Sequence, residues 1–75
     1  MTITNRQISD LVLHLIDERG ITANELARRM GRSSGRMSVK LHTRPFWLFS
    51  ELFELAEAIE ITPVFLVEEL EKMAQ

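Results

Sequence analysis

Apolar residues recur at helical spacing along most of the chain, and strand-like alternation is missing. Ile8, Leu11, Val12, Leu15 and Ile16 form a first stripe. Thr4 with Gln7 fits a capping box that opens it, and Gly20 stops it. Thr22 with Glu25 repeats the capping-box spacing and opens a short second helix carrying Leu26, Ala27 and Met30 inward; Gly31 ends it. Ser33 is placed to cap a third helix, where Met37 and Leu41 lie four apart on one face. Thr43-Arg44-Pro45 breaks the chain, because a residue before proline avoids the helical region.

Phe49, Leu52, Phe53, Leu55, Ala56 and Ile59 form the stripe of a fourth helix, with Glu51, Glu54, Glu57 and Glu60 on its other side. Thr62-Pro63 starts a fifth helix, with threonine as cap and proline at the first helical position. Leu66, Val67, Leu70 and Met73 give it an apolar seam. The expectation is all-α: one compact five-helix domain over residues 1–75 with a central helix-turn-helix.

Seventy-five residues build only a small core, and such domains often need a staple or a partner. Cysteine is absent, and His14 and His42 are the only imidazoles, so neither a disulfide nor a metal set is expected. Economical packing or dimerisation remains. No apolar run reaches the roughly 18 residues of a membrane span. Met1 to Arg6 has no signal-peptide layout, so the expectation is a cytoplasmic domain without membrane contact. No nucleophile–base pair or acidic dyad is present, so no enzyme, cofactor or small-molecule ligand is expected.

Charge changes this picture. Between Glu25 and Glu51 there is no acidic residue, and that window holds Arg28, Arg29, Arg32, Arg36, Lys40 and Arg44, six of the nine basic residues. From Glu51 onward there are seven glutamates against Lys72. The net charge of −2 hides the split. A basic middle on an acidic chain suggests a face for a polyanion. Two short helices flank Gly31-Arg32-Ser33, and the small Ala27 permits their close approach. That is helix-turn-helix geometry, whose second helix can enter a major groove. Helix starts at Thr22 and Ser33 offer free N–H groups to phosphates.

The run Glu25-Leu26-Ala27-Arg28-Arg29-Met30-Gly31, with Ser33 and Met37-Ser38-Val39-Lys40-Leu41 after it, resembles the phage Cro and repressor (Xre-like) family. Leu15 to Gly20 and Leu52 to Leu66 extend the likeness to nearly the whole chain. The resemblance implies a lambda-repressor-like fold acting as a homodimer on a palindromic double-stranded DNA operator. It implies a recognition helix from Ser33 or Ser34 to Leu41. Ser34, Gly35, Ser38 and Val39 match positions that face base edges; by their own chemistry Arg36 and Arg32 could reach guanine or only hold phosphates, and Arg36 is counted with the base contacts. Ala23 and Asn24 match phosphate-contacting positions, as do Lys40 at the end of the recognition helix and His42 and Arg44 beyond it; Arg32 and Ser33 join the phosphate set.

Two departures stand out. Ser34 and Gly35 occupy leading base-reading positions where glutamine, asparagine or arginine is frequent in the family. Neither serine nor valine discriminates bases bidentately, which moves weight onto DNA shape. His42-Thr43 and Glu60 stand at turn positions where the family often has glycine or asparagine. The expected function is sequence-specific transcriptional regulation, as a repressor or Cro-like protein at the nucleoid.

Pro45 to Phe49 adds a second expectation. Periodicity assigns Phe49 and Phe53 to the core, leaving Phe46, Trp47 or Leu48 for an exposed apolar patch. Phe46, Trp47, Phe65, Leu66, Leu70 and Met73 are the expected dimer interface, through the fourth-to-fifth helix region. The competing arrangement is a monomer whose last helix closes its own core. The alternative function is a small helical module that binds a larger regulator through the aromatic segment.

Overall fold

Each helix begins where a side chain takes up a free backbone N–H. In the computed structural model, which describes residues 2–74, α1 (Asn5–Glu18) starts with a full capping box. The Gln7 N–H donates to Thr4 Oγ1 at 3.1 Å and the Thr4 N–H to Gln7 Oε1 at 2.9 Å. α2 (Ala23–Arg29) is capped by Thr22, α3 (Ser34–Ser38) by Ser33 and α5 (Pro63–Met73) by Thr62. The second capping box forms only by half: Glu25 turns its carboxylate to Arg28 and Arg29 instead. α4 (Phe49–Ala58) follows Leu48, which has no side-chain acceptor; Glu51 accepts the Leu48 N–H at 2.8 Å.

Three helices end on the same pair of bonds, a Schellman motif. Ile21 donates to the Ile16 carbonyl at 2.8 Å, Arg32 to Ala27 at 2.8 Å and Ile61 to Ala56 at 2.9 Å. The motif needs a residue in the left-handed region between donor and helix. Gly31 supplies it after α2 with φ 68°; after α4 the position falls to Glu60, with φ 60°. α3 does not stop at Ser38. It continues as a π-helical turn, Val39–Thr43, in which Arg44 N–H reaches back to the Val39 carbonyl at 2.8 Å. His42 and Thr43 therefore belong to this turn of helix.

The order α1, α2, α3, the π turn, α4 and α5 gives a five-helix, all-α fold with no strand among the described residues. α1 packs against α5, α2 and the π turn, so the N-terminal stripe sits at the centre. Val12, Leu26, Leu41 and Leu55 are fully buried around it.

The aromatic segment departs from periodicity. Phe49 is 75% and Phe53 48% exposed, while Glu51 is 3% exposed. α4 is rotated so that Leu55, Ala56 and Glu51 face inward. Trp47, Leu66 and Leu70 lie in the protomer's own core. These three consequently leave the expected dimer interface, because their surface is already spent on intramolecular packing.

Candidate nucleic-acid interface

Met37 and Leu41 anchor α3 and its π turn to the core, and this fixes which side looks outward. Ser34, Gly35, Arg36, Ser38 and Val39 are all exposed on that element. All five expected base-reading residues are thus accessible, and Gly35, Arg36 and Val39 line one groove together. At the start of α2, Asn24 is exposed and Ala23 half-buried. Ser33 is exposed, but its hydroxyl accepts the Arg36 N–H at 3.2 Å. His42 and Arg44 are exposed where the π turn ends.

Arg32, Arg36, Lys40 and Arg44 follow at steps of four and line one open groove of about 370 Å³ with Gly35, Val39 and Phe46. Glu51 also lines it, and this buried carboxylate alters the electrostatics. Lys40 Nζ lies 3.1 Å from Glu51 Oε1 and Arg32 lies 3.3 Å from Oε2. Arg32 also holds Glu54 at 2.7 Å. Burial pushes the Glu51 carboxyl up, but the Leu48 N–H, Lys40 and Arg32 outweigh it and hold the group below its ordinary value.

The basic window is therefore free of acid in sequence but not in space. Arg28 and Arg29 pair with Glu25, whose carboxyl they hold below its ordinary value by hydrogen bonding. Arg32 and Lys40 pair with glutamates of α4. Arg36 and Arg44 are the two cations of the window without an ion pair among the described residues. Their charge is what remains for a polyanion at this surface.

Beneath the groove lies a polar network that fixes the π turn on α1. Ser9, fully buried, donates to the Lys40 carbonyl at 2.7 Å and accepts from Trp47 Nε1 at 2.8 Å. Asn5 Oδ1 accepts the Trp47 N–H at 2.9 Å. Arg6 reaches the Leu41 and His42 carbonyls at 3.4 and 3.3 Å, satisfying acceptors that the helix end leaves open. Lys40 Nζ donates to the Phe46 carbonyl and lies 4.9 Å from the centre of the Trp47 ring, a cation–π contact. Ser9, Asn5 and Arg6 position the site, and the sequence reading missed all three. Ser9 left a trace: a polar residue inside the Ile8–Leu11–Val12 stripe needs a buried partner.

Phe46 is 60% exposed and lines the groove. Met73 sits instead beside Asp10, Leu11 and His14 of α1. The six expected interface residues do not form one surface. Among the described residues no three His, Cys, Asp or Glu side chains gather in a way that holds a metal ion. Among the described residues no helix is long and apolar enough to cross a membrane. No family model matches the chain, and neither a curated protein nor a solved structure matches it.

Proposed function

We propose that the chain is a sequence-specific double-stranded DNA-binding transcriptional regulator, acting through α3 and its π turn in the manner of the Cro and repressor proteins it resembles. The observation that carries the reading is the exposed side of α3 and its π turn, where Ser34, Gly35, Ser38 and Val39 accompany Arg36 and Arg44, which have no ion pair among the described residues. An α-helix with a small, accessible outer face fits the major groove, and the flanking cations fit its phosphates. Arg36 is the residue with reach and free donors for guanine. Val39 and Phe46 offer apolar contact to thymine methyls. Such direct readout is sparse, so DNA shape contributes to site choice.

Action as a dimer on a palindrome belongs to this reading. Its helices would then meet half-sites about 34 Å apart. Phe65 and Met73, each 37% exposed, are the members of the expected interface that stay accessible outside the groove.

Selection from random duplex DNA tests the proposal. The expected result is an enriched site with half-sites about one turn apart. With the two cations of the basic window that have no ion pair among the described residues, log K should fall against log salt with a slope of about −1.8 for each protomer. Absence of both enrichment and salt-dependent binding at low salt would reject DNA binding and favour the protein-interaction module.

A further inference from the structure

The DNA reading leaves the outer face of α4 and α5 without a role. Phe49 and Phe53 are largely exposed there and meet edge to face, ring centres 5.2 Å apart. Across from them stand Pro63 and Val67, around a shallow cleft of about 30 Å³ floored by Leu52, Leu66 and Leu70. Val64, 67% exposed, extends the apolar surface one turn along α5 from Val67. Contiguous apolar surface of this kind marks a contact site.

Charge decides what covers it. Each apolar row runs into a glutamate one turn further on: Phe49, Phe53, then Glu57 on α4, and Pro63, Val67, then Glu71 on α5. Glu57, Glu60, Glu68 and Glu71 have no ion pair among the described residues. The neighbouring cation, Arg29, is committed to Glu25 and to the Ala58 carbonyl. Lys72, the single basic residue after Arg44, sits with Glu69 beside α1. A second copy on this face would bring glutamates against glutamates with no lysine or arginine between them, and such juxtaposition works against association.

We propose that the α4–α5 face docks a cationic amphipathic helix of another protein. A terminal methyl of an aliphatic side chain enters the cleft between Phe53 and Val67, the rest of that side chain lies across the exposed rings, and lysines or arginines on the flanks meet Glu57 and Glu71. The cleft is small enough for one such anchor, with Phe49 and Val64 covering its neighbours. None of these residues lines the basic groove, so the proposal does not rest on DNA binding.

The full chain, isotope-labelled and free of DNA, is titrated with two synthetic helical peptides that share one leucine face. One peptide carries lysines beside that face and the other glutamates. The lysine peptide should shift the amide resonances around Phe53 and Val67 and bind at least about tenfold tighter than its acidic twin, with binding that fades as salt rises. Phe53→Ser should abolish that binding while Trp47 fluorescence stays that of the folded chain. Equal affinities, binding by neither peptide, or shifts confined to other surfaces would overturn the proposal. So would sedimentation showing a dimer of the free chain that Phe53→Ser dissociates.

Discussion

Lys40 and Glu51 stand 11 residues apart in sequence and 3.1 Å apart in space, at side-chain exposures of 16% and 4%. Their contact joins the π turn that follows α3 to the first turn of α4. The same carboxylate accepts the Leu48 N–H, and the same ammonium donates to the Phe46 carbonyl. One ion pair therefore closes the 44–48 segment and sets how the outer face of α3 is carried on the core.

Removing the carboxylate should unmask a poorly solvated ammonium. Glu51→Ala is expected to lower the unfolding free energy by about 3 kcal/mol, the range for breaking a buried pair from one side. Replacing both partners, as Lys40→Met with Glu51→Leu, should recover most of that loss, because no charge is then left buried. Urea unfolding followed by Trp47 fluorescence measures both. If the double variant is no more stable than Glu51→Ala, the pair is not the dominant interaction at this position.

The same residue sets an acid limb. Glu51 is held below its ordinary value of 4.5 in the folded chain. The unfolded chain thus takes up a proton first as pH falls. The contribution of Glu51 is complete above the ordinary value and is lost as pH drops through the lowered folded value. Stability measured from pH 7 to 3 should fall most steeply below pH 4.5, and Glu51→Gln should flatten that limb. An unchanged limb in Glu51→Gln would assign acid sensitivity to other carboxylates.

Helix starts and stops were legible because they depend on neighbours three or four residues away. Thr4 with Gln7, Ser33, Thr62-Pro63, Gly20 and Gly31 all act as their spacing predicts. The rotation of α4 was not legible. Phe49, Leu52, Phe53, Leu55 and Ala56 are apolar on too many sides for periodicity to choose one. What turns Glu51 inward is Lys40 and Arg32, from elements earlier in the chain. Trp47 is similarly claimed by Ser9 and Asn5 of α1, a pairing no local pattern announces. On α3 and its π turn, burial of Met37 and Leu41 was legible, and with it which residues of that element stay exposed. The number of free cations on it was not, because charge pairing is a tertiary property.

Glu60 gives a test of backbone strain. Its φ of 60° is one a side chain adopts at a cost, and the Schellman bonds from Ile61 and Glu60 hold it there. Glu60→Gly should stabilise the chain by about 1 kcal/mol. At Gly31 an added Cβ meets nothing within 4 Å, so Gly31→Ala should destabilise by about the same amount through φ alone. Thermal unfolding of the two variants in opposite directions is the expected outcome. A loss of stability in Glu60→Gly would show that its side chain contributes more than the strain.

Phe46 separates a groove role from an interface role. At 60% exposure it adds little to the core, so Phe46→Ala should leave stability within about 0.5 kcal/mol. If Phe46 contacts DNA beside Val39, the variant loses affinity for a selected site while sedimentation is unchanged. A shift in association state with unaltered affinity per protomer would return Phe46 to the dimer contact.

Arg36, Arg29 and Glu54 together test how the ion pairs partition the basic window. Arg36 has no ion pair among the described residues, whereas Arg29 is held by Glu25 and the Ala58 carbonyl. Arg36→Ala should therefore weaken binding to a selected site by about 1–3 kcal/mol, with a smaller loss on random duplex. Arg29→Ala should change either affinity little. Glu54→Gln removes the negative charge 2.7 Å from Arg32, whose other contact is the more distant Glu51 carboxylate. That leaves more of the Arg32 charge for the groove it already lines and should steepen the salt slope by up to about 0.9. Equal losses on selected and random DNA in Arg36→Ala would confine that residue to phosphate contact. An unchanged slope in Glu54→Gln would mean that Glu51 alone keeps Arg32 from DNA.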